Sequence, residues 1–404
     1  MMWATVLQIL CVNTANAAPD WDGYVEEAMK NNPLVQAKYV EYEAAIEHIR
    51  QVGVISEPSV GVGVFVLPIE TKMGAQRAKF SIQQSFPWWG TYTKQKQLAK
   101  LQAEQKKTNW EEAQIDVRLQ MEALWFPMIA LTEQIAVYEE SMGILESYAR
   151  LTQRRLENGQ GNMVDSLQIE MRVESLKTEI QISVKKLSML KTKFNILCNE
   201  PQEREIVLPS SESVEFIPTA KDPIIRHPRG DRFDLELVSK GVEKELVGKQ
   251  RMPSVGVGIE YIVVSPLADN PQSGGDAVVP TVRLQIPLFQ NRYQSQLAEI
   301  SSLEKSSVLS KEAWEQHVHN QLTEISFAVD RCIELRSLYR DQKERLRQSI
   351  EVLLASYSVS GDRFEELLQL QQELLRYQIL EIDLVHEYRI AIGKQNSLTG
   401  ESNE

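Results

Sequence analysis

Hydrophobic residues recur at helical spacing through two long stretches of this chain. Leu288 to Ser360 contains neither Gly nor Pro, and its Leu, Ile, Val and Ala residues follow a helical period. At about 1.5 Å per residue, a helix of roughly 70 residues would be on the order of 100 Å long, which exceeds a compact domain. The first half repeats the pattern from about Tyr92 to Glu157, where Pro127 should kink or interrupt the helix.

Short runs beside these helices alternate between apolar and polar positions, which predicts strands with two unlike faces. Phe80 and Ile82 oppose Lys79 and Ser81, for example, and similar runs occur from Val60, from Val255 and from Val279. An apolar-out and polar-in alternation is typical of outer-membrane barrel strands. The residues predicted to face lipid are Val60, Val62, Val64, Phe80, Ile82, Val255, Val257, Val282 and Leu284.

The chain contains an internal repeat. Pro58 to Val64 reads PSVGVGV, and Pro253 to Ile259 reads PSVGVGI. Each copy follows an amphipathic helical stretch (33–51 and 231–250) and precedes a second strand ending in proline, a long polar helix, a glycine break and a return helix. We therefore predict one domain over 18–404, built of two structural repeats at about 18–205 and 206–404.

Four strands cannot close a pore alone, because an open sheet edge in lipid would leave backbone groups unpaired at several kcal/mol each. We expect a barrel shared between chains in closed rotational symmetry. An ordinary coiled coil, without a pore, is the alternative interpretation of the long helices. Trp88 and Trp89 fit either core packing or anchoring at a membrane interface.

The N-terminus, with an apolar stretch and the Ala15-Asn16-Ala17 motif, predicts a signal peptide over 1–17, although its positive n-region is missing. The true start could lie upstream, or this segment could begin a buried helix. Cys198 and Cys332 remain after cleavage and are expected to be buried free thiols. The net charge of -12 opposes binding to nucleic acid.

No motif indicates an enzyme, a cofactor or a resident metal. Val66 stands where a dinucleotide-binding loop starting at Gly61 needs its third glycine. His317 and His319 are two apart on a predicted helix, so they point to different faces, and a solvated helix face is the simpler reading.

The sequence resembles the TolC family of outer-membrane channels over essentially the whole chain after the predicted signal peptide, in the order of its elements and at three places in particular. The stretch from Pro68 to Ile82, followed by Phe86-Pro87-Trp88-Trp89-Gly90, is similar to the heavy-metal efflux branch. Gly159-Gln160-Gly161 leading to Asp165 resembles the family's first periplasmic tip. Tyr357 to Gly361, leading to Glu365 and Glu366, resembles the second tip, although one extra residue precedes Gly361.

This resemblance implies a mainly α protein with a small β part. It implies a homotrimer in which long antiparallel helices form an α-barrel across the periplasm and four strands per chain contribute to a 12-stranded barrel in outer-membrane lipid. It also implies a passive efflux channel of a Gram-negative outer membrane that docks a periplasmic adaptor and an inner-membrane RND-type pump, with heavy-metal cations as one cargo. A type I protein secretion channel and a non-pore periplasmic coiled-coil protein remain alternatives.

The acidic residues near the tips are the candidate gate. In a trimer each carboxylate appears three times around one axis and would favour cations. The candidates are Asp165, Glu365 and Glu366, with Arg363 as a partner that latches the tip, and with Gly159, Gly161 and Gly361 as tip turns. The simpler alternative is that the acids stabilise the positive ends of the following helices.

Overall fold

The computed structural model describes residues 20–159, 161–209, 214–219, 223–360 and 363–400. It is mainly helical, with one four-stranded sheet. The predicted signal peptide, together with Gly361, lies outside the described residues. The elements are α1 (Trp21–Asn31), α2 (Pro33–Gln51), β1 (Ser59–Thr71), β2 (Gly74–Phe86), α3 (Thr91–Glu157), α4 (Met163–Leu197), α5 (Pro228–Gln250), β3 (Ser254–Ser265), β4 (Ala277–Gln285), α6 (Asn291–Ser360) and α7 (Phe364–Thr399).

The helix predictions agree with these bounds. Helix α6 runs unbroken over 70 residues, as the absence of Gly and Pro predicts, and α2 has the expected ends. Helix α5 starts at Pro228, three residues before the predicted Asp231, because proline suits the first turn of a helix. Both halves follow the order helix, hairpin, long helix, return helix, and the two structural repeats stay a prediction.

The expected interruption at Pro127 does not occur, since α3 passes through it. Proline removes one backbone donor and crowds the preceding turn. The residues on both sides are buried: Trp125 packs on Tyr24 and Phe194 at ring distances of 5.5 and 5.6 Å, and Met128 is fully enclosed. This burial holds the flanking residues in helical positions despite the lost hydrogen bond.

The sheet has the order β1-β2-β3-β4, and every neighbouring pair is antiparallel. The register is regular from Ser59 to Val64 of β1 and in the parts of the other strands that lie beside this segment. It shifts closer to the β1–β2 turn, after Val64 on β1 and between Gln76 and Ala78 on β2. The outer strands β1 and β4 each pair on one side only within the described chain.

Two compact groups of residues make up the chain. One contains the described parts of 1–36, 113–227 and 318–404, and its core includes a cluster around Tyr148, Tyr357 and Phe364. The other contains 37–112 and 228–317, which includes the sheet. Both cysteines are buried free thiols, as predicted, and burial raises the pKa of Cys198 to about 12 and that of Cys332 to about 11.

Candidate functional site

One face of the sheet is apolar and exposed. The register aligns Val62 with Phe80 and Tyr261, and it aligns Val60 with Ile82 and Ile259. All nine residues predicted to face lipid lie on this face, where Val62 is 65% exposed and Val282 is 79% exposed. A water-soluble sheet normally buries such a face, so this one is ready for an apolar partner.

The opposite face is polar and glycine-rich. Lys79 and Glu260 form an ion pair at 2.5 Å between neighbouring strands. Gly61 lies beneath the Ser81 hydroxyl, since a Cβ at Gly61 would come within 2.7 Å of that oxygen. Gly258 lies beneath Thr281 in the same way, at 2.9 Å. The glycines therefore leave room for polar side chains of the adjacent strands to lie flat over the backbone.

A second candidate site lies where α3, α4, α6 and α7 end or begin. Phe364 packs on Tyr357 with ring centroids 4.6 Å apart and on Tyr148 at 6.5 Å. Ile169 and Leu367 are buried in the same cluster. This aromatic and aliphatic cluster holds the two turns next to each other, because each of the four helices contributes a buried side chain to it.

The first turn, between α3 and α4, depends on its glycines. Gly159 has φ +70°, a left-handed conformation that favours glycine. A Cβ at Gly161 would lie 2.5 Å from the backbone nitrogen of Leu156, so no other residue fits without movement. The predicted turn positions Gly159 and Gly161 thus have a local reason, while Gly361 of the second turn lies outside the described residues.

Arg155, in the last turn of α3, joins the two turns and was not singled out by the sequence analysis. One guanidinium nitrogen of Arg155 donates to the backbone oxygens of Tyr357 at 3.1 Å and Ser358 at 3.4 Å. The guanidinium also lies 5.2 Å from the centre of the Tyr357 ring. A cation next to the last carbonyls of a helix satisfies acceptors that have no partner within that helix. The only sequence signal was a basic residue in a last helical turn, which is too common to be specific.

The three candidate acids occupy different environments. Asp165 is half-buried, and burial raises the pKa of its carboxyl above the usual value, which the nearby Arg155 charge partly offsets. The N-cap of α4 is Asn162, whose side chain accepts from the Val164 N–H at 3.0 Å. Asp165 is therefore not the cap of α4. The alternative that it stabilises the positive end of this helix rests only on its position in the first turn.

Glu365 and Glu366 lie in the first turn of α7. Arg363 donates to the Glu366 carboxylate at 2.9 Å, and this ion pair holds the pKa of Glu366 below its usual value. Arg363 itself adopts a left-handed conformation with φ 66°. Within one chain Arg363 thus binds Glu366, three residues further along, and its role as a latch stays a prediction.

In the described part of the chain, no group of three or more His, Cys, Asp or Glu side chains is placed to hold an ion. His317 and His319 are exposed on α6, as expected for a solvated helix face. Among the helices of the described ranges, none has both the length and the apolar composition needed to cross a bilayer.

Comparisons with known proteins agree with this architecture. Residues 24–182 match the sequence profile of the family described as outer membrane efflux protein. No curated protein sequence matches the chain significantly. The fold matches the outer membrane protein VceC from Vibrio cholerae with a TM-score of 0.75 and 13% identity, over 94% of this chain and 96% of that one.

Two further solved structures show the same fold. CusC, studied for folding and transmembrane channel formation, matches with a TM-score of 0.75 and 15% identity over 94% of this chain and 92% of its own. A membrane protein from Pseudomonas aeruginosa matches with a TM-score of 0.76 and 14% identity, over 94% of this chain and 90% of its own. The chain therefore shares the fold of these solved channel and membrane proteins, and the profile of the outer membrane efflux protein family matches it over residues 24–182.

The opposite pKa shifts of two acids generate a first prediction. The pKa of Asp165 is higher in the folded chain than in the unfolded chain, so its ionisation costs stability above that pKa, and protonation removes the cost as the pH falls. Asp165→Asn should thus melt at the same or a higher temperature than the unaltered protein at pH 7, and the difference should shrink below about pH 4. Thermal melting in detergent measures both.

Glu366→Gln is the matched control with the opposite sign. Arg363 stabilises the ionised form of Glu366, so Glu366→Gln should lower the melting temperature slightly at pH 7, and the effect should vanish in acid. A lower melting temperature for Asp165→Asn at pH 7 would show that its charge is stabilising and that the account of its burial is wrong.

A second prediction concerns Arg155. Arg155→Gln removes the charge from the carbonyl oxygens of Tyr357 and Ser358 and should cost about 1 to 2 kcal/mol of local stability. Hydrogen exchange of the last turns of α6 should become faster by roughly one order of magnitude for that energy. Arg154→Gln is the control, because the exposed Arg154 side chain makes no such contact. Equal exchange in the two variants would exclude Arg155 as the link between the turns.

Proposed function

We propose that this chain is the protomer of an outer-membrane efflux channel of a Gram-negative bacterium. Three copies associate so that their sheets close a 12-stranded barrel in the outer membrane and their long helices form a helical barrel in the periplasm. The channel conducts passively and opens when its partners engage the periplasmic end, with energy supplied by an inner-membrane pump.

The observation that carries this proposal is the two-faced sheet with unpaired outer strands. The exposed apolar face suits hydrocarbon, and the polar face suits a water-filled interior. In lipid, β1 and β4 must each find another strand, because unpaired backbone groups there cost several kcal/mol each. Two copies would give about 8 strands, whose interior is filled by side chains, so three copies give the smallest open conduit.

The tryptophans after β2 support a membrane boundary at that end of the sheet. Trp89 is 86% exposed and follows the last residue of β2 by three positions. Indole rings favour the interface between lipid and water. For Trp89 this favours interfacial anchoring over core packing, the two readings that the sequence left open.

The partners and cargo extend the proposal. We assign to the channel a periplasmic adaptor, an inner-membrane RND-type pump and heavy-metal cations as cargo. The support is the resemblance of the stretches from Pro68 to Ile82 and from Phe86 to Gly90 to the heavy-metal efflux branch, together with the matched efflux profile over 24–182. Deletion of the gene should increase sensitivity to copper, silver, zinc or cobalt salts, and unchanged sensitivity to all four would remove metals from the cargo.

A third prediction tests the barrel. Val62→Arg and Val257→Arg place a charge on the apolar face and should impair assembly at roughly 2 to 4 kcal/mol per site near the membrane midplane. Ser81→Arg places the same side chain on the polar face, next to Val62 in the sheet, and should be tolerated. The measurement is the amount of heat-labile trimer in isolated outer membranes.

Each outcome of that fractionation separates two classes of protein. Loss of trimer with arginine at Val62 and Val257, but not at Ser81, supports the barrel. Equal tolerance at all three positions would remove the barrel, and a soluble periplasmic protein without trimers would favour the non-pore coiled-coil alternative.

The gate proposal concerns the turns between the helices. We assign to Asp165, Glu365 and Glu366 a ring of negative charge at the narrow end of the trimer, and to Arg363 the role of restraining it. The support is that all three acids lie in the first turns of α4 and α7, beside the shared cluster around Phe364. The contact between Arg363 and Glu366 would lower the effective charge of the ring.

A fourth prediction follows for ion conduction. Changing Asp165, Glu365 and Glu366 together to their amides should weaken cation preference and block by divalent cations, because three chains lose up to nine negative charges. Arg363→Ser should act in the opposite direction, since it leaves Glu366 without its cation. Single-channel currents in planar bilayers measure both. Unaltered selectivity in correctly assembled trimers would place the constriction elsewhere.

A further inference from the structure

The polar face of the sheet carries few charges. In its regular part, five rows of residues alternate to this side, from Ser254 and Gln285 at the helix end to Gly63 and Lys79 towards the turns. The charged members of these rows are Lys79, Glu260 and Arg283. Three side chains therefore decide the net charge of the regular part of this face.

Two of these charges cancel. Lys79 and Glu260 lie on the adjacent strands β2 and β3, and their side chains form an ion pair at 2.5 Å. A close pair of opposite charges has a weak field beyond its immediate surroundings, and salt screens what remains. To an ion moving along this face, the pair presents almost no net charge.

Arg283 remains uncompensated. It lies on β4 opposite Gly256, in the row that also contains Ser85. Its side chain is exposed, and among the described residues no carboxylate lies within ion-pair distance of it. Gly256 brings no side chain to the position beside Arg283, and a Cβ there would lie 3.5 Å from the Arg283 Cβ. The nearest side-chain atom to that position is the Gln83 amide nitrogen, at 2.9 Å, so this neighbour of the exposed Arg283 is polar and uncharged.

We infer that Arg283 is a charge-selectivity residue of the conduit and that it binds anionic groups of passing solutes at the helix-side end of the barrel. The inference rests on the proposed channel, in which the polar face lines the interior. With three copies, three guanidinium groups surround one axis at the same level. Arginine suits this role because its planar fork of donors matches carboxylate and phosphate groups and stays charged at every physiological pH.

This assignment changes the cargo that the barrel admits most readily. A ring of three positive charges in a confined aqueous pore raises the local concentration of anions and lowers that of cations. Metal cations would pass this level most easily as complexes with anionic ligands. Solutes with a carboxylate or phosphate group would pass as they are.

The test is ion selectivity of the assembled channel. Purified trimers of the unaltered protein and of Arg283→Gln are inserted into planar bilayers, and the reversal potential is measured across a potassium chloride gradient at low salt. Loss of three charges should raise the permeability of potassium relative to chloride roughly two- to threefold. Block by added tripolyphosphate should need several-fold higher concentrations, and Arg283→Lys should retain most of the selectivity.

The matched control is the double variant Lys79→Gln with Glu260→Gln, which removes two charges from the same face without changing its net charge. It should leave both measurements unchanged. Unchanged selectivity and block in Arg283→Gln channels of normal conductance would overturn the role of Arg283 and leave the channel intact as a proposal. Absence of any conductance from the unaltered protein would instead overturn the channel itself.

Discussion

The backbone hydrogen bonds of the sheet edges constrain this protein more than any other interaction. Strands β1 and β4 each leave one row of N–H and C=O groups without a strand partner in the chain. Water could satisfy these groups, but the exposed apolar face beside them favours a medium in which water is absent. The two requirements can be met together only if the sheet continues into further strands. In the proposed channel, assembly is then a condition for the sheet to be stable in lipid, and the polar face would become an interior surface as a consequence.

The turns between the long helices follow a similar logic. A helix leaves its last carbonyl groups without partners, and at the end of α6 two of them accept from Arg155 of α3. The rings of Tyr148, Tyr357 and Phe364 then exclude water from the same place. A contact between a cation and backbone oxygens can be replaced by water at modest cost, whereas the aromatic cluster must separate as a unit. The turns are thus held by a hydrogen-bonded contact from Arg155, which water can replace, and by the aromatic cluster, which separates as a unit.

The sequence predicted the regular parts of this fold because their signals are local. Alternation placed nine apolar residues on one face of the sheet, and the absence of Gly and Pro predicted the length of α6. The interruption expected at Pro127 does not occur, because the packing of Trp125 and Met128 that holds α3 together depends on residues distant in sequence. Arg155 was missed for the same reason, since its acceptors lie some 202 positions away. The sequence showed the acidic residues at the turns, but it did not show that Asp165 is half-buried and that Glu366 is paired with Arg363.

The charges that act on a solute are those that no nearby opposite charge cancels. The presence of an acidic or basic residue therefore does not by itself show an effect on the solute. Glu366 is an acid at a turn, yet Arg363 compensates much of its charge, and Lys79 is a cation on the polar face that Glu260 cancels. Arg283 has no oppositely charged partner within ion-pair distance in the described chain, whereas the charge of Glu365 acts on the nearby Arg172. The opposite charges of a close ion pair nearly cancel at the distance of a solute, whereas the field of a lone charge extends over about one Debye length, roughly 8 Å in physiological salt. An uncompensated charge such as that of Arg283 therefore dominates. In the proposed channel, charge selectivity therefore depends on which residues lack a partner, and sequence composition alone cannot reveal that.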